Sequence, residues 1–209
     1  MKLNLKKTKL MLFKNSEKFD FSPNIQIQGH DIEVVELFKL LGVLIQSDLK
    51  WGSNTEHITK NAYRKLWVIR RLKALGVSRE RLTDVYIKQV RSILEVAVPV
   101  WNPGITMTEK NNIERVQKAA LHIILGQEYQ GYSGALQKCN LEKLADRRVK
   151  LCKTFTTKTA KNPKFNWFEK NKSETNTRIK RPEYKPVYCK TKRFENSPIS
   201  YLTKLLNEV

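Results

Sequence analysis

The chain has 209 residues, of which 40 are lysine or arginine and 20 are aspartate or glutamate, so its formal net charge is +20. A charge of this size favours a polyanionic partner, with nucleic acid as the first candidate and an anionic membrane surface as the second. The 3 cysteines are odd in number and widely spaced, which argues against a disulfide framework or a zinc knuckle and favours a reducing compartment.

No apolar segment approaches the roughly 20 residues that are needed to span a bilayer. The apolar run from Leu10 to Phe13 is also too short for the hydrophobic region of a signal peptide. We therefore expect an intracellular protein of the nucleus or cytoplasm that is not secreted. A membrane partner is not expected, because the apolar faces of the helices are needed for a core.

The first part of the chain carries a strand-like pattern. From Lys7 onward, apolar residues recur with a period of two. Gly29 supplies the positive φ of a tight reversal, so the sequence predicts a hairpin over 24–35. The segment "FKLLGVLI", 38–45, predicts a further strand with Gly42 inside it, where glycine marks a bulge or a close backbone approach.

After Trp51 the period changes to 3.6, which indicates a series of helices. Ser53 and Glu56 form a capping-box pattern for the first helix, and Gly76 is its expected end. The core face of this helix is predicted to consist of Ile58, Ala62, Leu66, Ile69 and Leu72.

Two more long helices are predicted, from Ser78 to Pro99 and from Thr108 to Gly126. Their predicted core residues are Leu82, Tyr86, Val90, Ile93 and Ala97 in the second helix and Ile113, Val116, Ala120 and Ile123 in the third. The remaining predicted helices cover 133–138 and 141–160.

The end of the chain has a different composition. From Lys161 on, lysine and arginine outnumber glutamate, prolines recur and no period persists, which predicts an extended basic tail that limited proteolysis removes. A short terminal helix is expected at "ISYLTKLL", 199–206. The predicted fold class is α+β, with a small antiparallel β piece over 1–52, a helical bundle over 53–160 and the tail over 161–209.

One stripe of the first helix combines cations with an indole ring. Its members, at spacings of four, three and four residues and opposite the apolar face, are Lys60, Arg64, Trp67 and Arg71. Cationic groups neutralise phosphates and a tryptophan ring packs on sugar or base, so the stripe suits a nucleic-acid backbone. The alternative is an ordinary solvated charged face with an incidental tryptophan.

The second and third helices carry outward-facing basic residues of their own, namely Arg81, Lys88, Arg91, Arg115, Lys118 and His122. If the helices pack side by side, these residues and the stripe join into a positive groove, which favours nucleic-acid binding. The residues expected to contact nucleic acid beside the stripe are Lys88, Arg91, Arg115 and Lys118.

Residues with catalytic potential are few. The aspartates are scattered along the chain, at Asp20, Asp31, Asp48, Asp84 and Asp146. No adjacent pair among them could hold two Mg²⁺ ions, and the histidines lack a cysteine or carboxylate at ligand spacing. The sequence therefore predicts no catalytic residue, no metal site and no cofactor in this chain.

Several segments follow one another in a recognisable order: "LNLKKTKLMLF", "IQIQG", "FKLLGVLI", "LEVAVPVWNP", "IERVQKAALHIILG", "LEKLADRR" and "RFENSPISYLTKLLN". In this order and spacing they resemble the end of a reverse transcriptase, an RNA-directed DNA polymerase, from a non-LTR, LINE-type, jockey-like retrotransposon. The resemblance covers nearly the whole chain.

The resemblance implies a role for each segment. The N-x-x-K-T motif of the palm would be Asn4, Lys7 and Thr8, and the primer-grip hairpin that holds the growing 3′ end would contain Phe38, Leu40, Leu41 and Gly42. Residues 54–160 would form the thumb, whose helices lie along the template–primer duplex in this family. The expected partners are therefore an RNA template and an RNA–DNA or DNA duplex.

The family's Tyr-x-Asp-Asp doublet, which holds Mg²⁺ in the complete polymerase, precedes the K-T motif, and here only Met1 to Leu3 precede that motif. We therefore expect the carboxyl part of a truncated polymerase without the catalytic aspartate pair, and the missing fingers and palm portion would be a further partner. Val96 stands where the family commonly has an aromatic residue, which affects packing only.

Two alternatives remain open: a freestanding or domesticated basic nucleic-acid-binding module, and a decayed element fragment without selected function.

We predict that the isolated chain shows no primer-dependent nucleotide incorporation with any divalent metal, because no aspartate pair holds two ions at the reacting oxygens. Extension of a DNA primer on an RNA template, compared with a sample without protein, measures this. Extension above that control would contradict the assignment of the chain to the part beyond the active site.

Overall fold

The structure, a computed structural model, describes residues 4, 7–13, 25–171 and 182–208. It contains short antiparallel strands and many helices, so the coarse α+β fold class is confirmed. The chain divides into two compact units, Met1–His57 and Ile58–Val209. Within the described residues, no helix is long and apolar enough to cross a membrane.

The first unit contains two β-hairpins with the same kind of turn. Strands β1 (Gln26–Ile27) and β2 (His30–Asp31) pair antiparallel, and Gln28 and Gly29 between them have φ of 54° and 75°. Positive φ at both central residues is typical of a type I′ turn, which matches the twist of paired strands. The predicted hairpin is confirmed, although residue 24 of its predicted range lies outside the described residues.

Residues 38–45 belong to a second hairpin, as the resemblance implied, and not to the single bulged strand that the apolar pattern predicted. Strand β3 (Leu37–Leu40) pairs antiparallel with β4 (Val43–Gln46), and Leu41 and Gly42 form the turn with φ of 48° and 90°. The glycine interrupts the apolar run because it closes this turn, where a residue without a side chain adopts positive φ at no steric cost.

Two side chains join β4 to the start of the first helix, α1 (Gly52–Ala74). The Oδ1 atom of Asn54 accepts a hydrogen bond from the N–H of Leu44 at 3.1 Å, and Oε1 of Gln46 accepts one from the N–H of Ser53 at 3.1 Å. Because Gln46 satisfies this first-turn amide, the helix begins before Ser53. The predicted capping box, which placed Ser53 at the N-cap, is therefore wrong.

The apolar face of α1 is the predicted one. Its buried residues are Ile58, Ala62, Leu66 and Ile69, and Leu72 is half-buried. Beyond the helix, Gly76 has φ of 76°, and the N–H groups of Gly76 and Val77 bond the carbonyls of Lys73 and Leu72 at 3.0 and 3.2 Å. This pair of bonds is a Schellman motif, so the predicted end of the helix is confirmed.

The second predicted helix contains a turn of π type. It consists of α2 (Arg79–Tyr86), the π-type turn (Ile87–Arg91) and α3 (Ser92–Leu94). The predicted core residues that are buried are Leu82, Tyr86 and Val90. One extra residue in a turn rotates the residues after it by about 100°. Leu94 is therefore buried where the sequence predicted Ile93, and the helix ends well before Pro99.

A short helix, α4 (Val98–Trp101), follows a corner at Ala97, whose φ of 50° is left-handed. Pro99 lies in the first turn of α4, where a missing N–H costs no hydrogen bond, so this proline starts a helix instead of ending one. Ala97 lies in the corner and not on the core face of the second helix. A 3₁₀ turn, Asn102–Gly104, continues α4.

The third predicted helix, α5 (Met107–Leu125), starts from a capping box of Thr106 and Glu109 and not at Thr108. The N–H of Thr106 donates to the Glu109 carboxylate at 2.5 Å, and the N–H of Glu109 donates to the Thr106 hydroxyl at 3.3 Å. Gly126 ends the helix as predicted, with φ of 57°. Of the predicted core residues, Ile113, Val116 and Ala120 are buried and Ile123 is half-buried.

Helices continue into the segment that was predicted to be an irregular tail. The remaining helices are α6 (Tyr132–Lys138), α7 (Leu144–Ala160), α8 (Lys192–Glu195) and α9 (Pro198–Asn207). Helix α9 packs against α7 and α4, and it buries Leu202 and Leu205. The predicted terminal helix is confirmed, but it belongs to the bundle core because its apolar face is covered.

Tyr184 ties the described tail to the bundle. The side chain of Asn207 accepts a hydrogen bond from the N–H of Tyr184 and donates one to its carbonyl, both at 3.0 Å. Tyr184 also forms an antiparallel bridge with Lys170, and its ring meets Phe168 edge-on with centroids 6.4 Å apart. Residues on both sides of 172–181 therefore share one folded structure.

The cysteines are all free. Cys139 and Cys152 are buried, and Cys189 is half-buried. Burial raises the pKa of the Cys139 thiol, and it raises the pKa of Cys152 to about 11. The thiolate is the reactive form of cysteine, so these two buried side chains are chemically quiet.

Leu202→Ala should lower the free energy of unfolding by about 2 to 5 kcal/mol, because it leaves a cavity between α9 and the bundle. Ile199→Ala is the matched control on the same helix, with 47% of Ile199 exposed against 3% of Leu202, and it should cost less than about 1 kcal/mol. Urea unfolding followed by circular dichroism measures both. A small and equal loss of unfolding free energy in both variants would show that α9 does not contribute to the hydrophobic core.

Candidate nucleic-acid interface

The cation stripe of α1 lies on the surface. Its four members, Lys60, Arg64, Trp67 and Arg71, are all exposed, opposite the buried apolar face. Trp67 leaves 64% of its surface in solvent, and Tyr63 next to it is exposed as well. An exposed indole between cations is available to an external partner.

The cations of the stripe have no internal counter-ion among the residues that the structure describes. Ion pairs form elsewhere in those ranges, but none involves Lys60, Arg64 or Arg71. No described carboxylate therefore forms an ion pair with these three cations. A bound polyanion can supply the missing negative charge without first breaking an ion pair.

The far end of α1 is held against the end of α5. The Nζ atom of Lys73 donates to the carbonyl of Ile123 at 2.5 Å. A Cβ atom added to Gly126 would lie 2.6 Å from that Nζ atom, so the absence of a side chain at this position lets the lysine approach. The contact fixes the last turn of α1 relative to α5.

Basic residues of α5 form a second exposed row, namely Arg115, Lys118 and His122. The Nη1 atom of Arg115 donates to Asn112 at 3.2 Å. The Nζ atom of Lys118 lies 5.1 Å from the centroid of the Tyr132 ring, and the His122 ring lies 5.1 Å from that of Tyr129. Aromatic contacts thus hold two of the three side chains in place.

A polar network beneath this row positions α5. The Glu114 carboxylate accepts hydrogen bonds from the N–H groups of Leu144 and Ala145, the first residues of α7, at 3.1 and 3.2 Å. It also accepts a hydrogen bond from the hydroxyl of Tyr132 in α6. The carboxylate thereby supplies the cap that the start of α7 needs.

Gln117 extends the network into the core. Its side chain accepts from the Tyr86 hydroxyl at 2.6 Å and donates to the Tyr132 hydroxyl at 2.9 Å and to the Glu142 carbonyl at 2.8 Å. Burial raises the pKa of Tyr86, and burial together with the bond to Glu114 raises the pKa of Tyr132. Both hydroxyls therefore stay protonated and can donate these hydrogen bonds.

The structure gives Lys88 and Arg91 different surroundings. Lys88 is exposed, as predicted for a phosphate contact, and so is Arg81. The Arg91 side chain is only 14% exposed and pairs with Glu95, which also binds Arg147. Arg91 and Glu95 are four residues apart and face each other on the helix, so the position of Arg91 favours a structural role. The bond to Glu95 raises the pKa of Arg147.

The predicted palm and primer-grip residues lie in the first unit. The N–H groups of Lys7 and Thr8 both donate to the Asn4 carbonyl at 3.1 Å, which makes a local turn. In the second hairpin, Phe38 is half-buried, whereas Leu40 and Leu41 are exposed near and at the tip beside Gly42. The hairpin therefore presents apolar side chains on a type I′ turn.

Sequence reasoning missed the buried polar side chains. The Glu114 network and Arg148 were not singled out, although Glu114 and Gln117 flank the apolar stripe of α5 at a spacing of three. Arg148 is buried and its Nε donates to Asn102 at 3.0 Å. Burial lowers the pKa of Arg148.

Among the described residues, no group of three or more histidine, cysteine, aspartate or glutamate side chains is arranged to hold a metal ion. Comparison of the chain with protein-family models, with curated proteins and with solved structures found no match.

Arg91→Gln should lower the free energy of unfolding by about 1 kcal/mol or more, because it removes one of the two partners of a poorly solvated carboxylate. Lys88→Gln, three residues away on an exposed site, is the control and should change it by less than about 0.5 kcal/mol. Thermal unfolding of both variants measures the difference. A larger loss for Lys88→Gln would contradict this division of roles.

Proposed function

We propose that this chain is part of the carboxyl-terminal region of a LINE-type reverse transcriptase, and that it binds the template–primer duplex along α1. The observation that carries the proposal is the exposed stripe of Lys60, Arg64, Trp67 and Arg71 on a helix whose opposite face is buried. The resemblance in segment order supports the assignment to this family.

The dimensions of the stripe suit a nucleic-acid backbone. Lys60 and Arg71 are eleven residues apart, which corresponds to about 16 Å along a helix axis. A duplex presents one phosphate per strand for roughly every 3.4 Å of its axis, so three cations over this length meet several phosphates. The spacing of four, three and four residues keeps all of them on one side of the helix.

Trp67 adds a contact that charge alone does not explain. Leaving an indole in water costs free energy, and a ring between cations can pack on a sugar or a base edge. Contacts of this kind position a duplex without reading its sequence. The proposed role of α1 is therefore to hold the duplex, and the resemblance implies that Mg²⁺ and the reacting groups belong to the fingers and palm of the complete polymerase.

The test removes the three cations of the stripe in the full chain, since α9 is part of the core and truncation before it would expose that core. In Lys60→Gln/Arg64→Gln/Arg71→Gln, the slope of log K against log salt for an RNA–DNA hybrid should fall by about 2 to 3 units, at roughly 0.9 per phosphate contact. Fluorescence anisotropy at several salt concentrations measures the slope.

A matched control removes the same charge from other exposed positions. Lys65→Gln/Arg70→Gln/Lys204→Gln lies off the stripe and should leave the slope close to that of the unchanged chain. Trp67→Ala should lower the affinity without altering the slope, because it removes packing and no charge. If both triple variants lose the same slope, binding follows net charge alone and the proposed role of α1 is wrong.

A further inference from the structure

Phe165 and Trp167 form an exposed aromatic pair just beyond α7. Their ring centroids lie 5.0 Å apart at an interplanar angle of 53°. The two side chains leave 42% and 46% of their surfaces in solvent. Two large rings held next to each other on a surface offer flat apolar faces to a partner.

The backbone that carries this pair is fixed. The N–H of Phe165 bonds the carbonyl of Asn162, and the N–H of Lys164 bonds the Asn162 side chain, both at 3.0 Å. One residue beyond the pair, Phe168 turns inward and meets Tyr184. Phe168 is therefore half-buried, whereas Phe165 and Trp167 are exposed.

The segment that leads into the pair is rich in lysine. Lys158, Lys161 and Lys164 are exposed, and in the described ranges none of them forms an ion pair. The carboxylate nearest along the chain, Glu169, is already paired with Lys185 at 2.8 Å. The partner that complements this surface therefore combines flat apolar faces with negative charge.

We infer that Phe165 and Trp167 form a stacking platform for the bases of single-stranded nucleic acid, with the three lysines beside its phosphates. Single strands fit because their bases are free to stack on a protein ring, whereas the base faces of a duplex are covered by neighbouring base pairs. The inference rests on the proposed function only in taking nucleic acid as the partner. It involves none of the residues of the α1 stripe.

The experiment measures binding of labelled oligothymidylate to the full chain by fluorescence anisotropy. Phe165→Leu/Trp167→Leu keeps apolar side chains and removes the rings, and it should weaken binding by about fivefold or more, which corresponds to the loss of roughly one base stack. Phe165→Tyr/Trp167→Phe keeps the rings and should bind as the unchanged chain does. Tyr188→Leu, an exposed aromatic position without a paired ring in the described structure, should also leave the affinity unchanged.

The same variants are titrated with a blunt RNA–DNA hybrid. Phe165→Leu/Trp167→Leu should leave hybrid affinity within about twofold, so that the loss is specific to the single strand. Unchanged oligothymidylate binding, or an equal loss for both ligands, would overturn the platform. Binding of anionic lipid vesicles that depends on the two rings, with no effect on oligothymidylate, would assign the pair to a membrane surface and also overturn it.

The outcome is independent of the test of α1. The stripe variant is scored by the salt slope on a duplex, whereas the platform variant is scored by affinity for a single strand at one salt concentration. If the stripe variant shows no effect and the platform variant does, the chain binds single strands through the platform. If only the stripe variant shows its effect, the chain binds a duplex through α1. Circular dichroism of each variant confirms that it is folded before binding is compared.

Discussion

The carboxylate of Glu114 is the contact on which the arrangement of the bundle depends most. It lies on α5, caps the first amides of α7 and accepts a hydrogen bond from the hydroxyl of Tyr132 in α6. The amides at a helix start have no partner within the helix and carry partial positive charge, so a carboxylate there is stabilised both by hydrogen bonds and by the helix dipole. Displacing any of these three helices breaks at least one of the bonds. The outward face of α5 is therefore held in direction by the half-buried Glu114 side chain of the same helix.

Helices that are held in place favour binding in a protein that is proposed to bind nucleic acid. A cation on an anchored helix has its backbone ordered before binding, so less conformational freedom is lost when the complex forms. Lys73 anchors α1 in this way, and Asn207 anchors the tail through Tyr184. The two proposed surfaces then differ in chemistry, because one ring among cations suits a phosphate backbone and two rings side by side suit unpaired bases.

Apolar periodicity was sufficient to predict the buried face of α1 and the terminal helix, since both depend on spacing within one element. It failed where the position of a side chain depends on a contact distant in sequence or on an irregular turn. The burial of Leu94 instead of Ile93 follows a π-type turn that no spacing rule indicates, and Glu114 binds the N–H of Leu144 thirty residues further along the chain. The apolar pattern alone gave a single bulged strand over 38–45, where only the resemblance implied a hairpin, because leucine is uncommon at positive φ and Leu41 did not suggest a turn. The exposure of the stripe was predictable, whereas the absence of counter-ions among the described residues was not.

The different surroundings of the cysteines give the protein a built-in site for chemical labelling. Cys139 and Cys152 are buried with raised pKa values, so alkylating reagents attack them slowly. Cys189 is half-buried and lies within hydrogen-bonding distance of Ser200 on α9, at 3.4 Å. A maleimide dye applied to the folded protein therefore attaches preferentially beside α9. Such a dye would report the docking of this helix without any cysteine having to be introduced or removed.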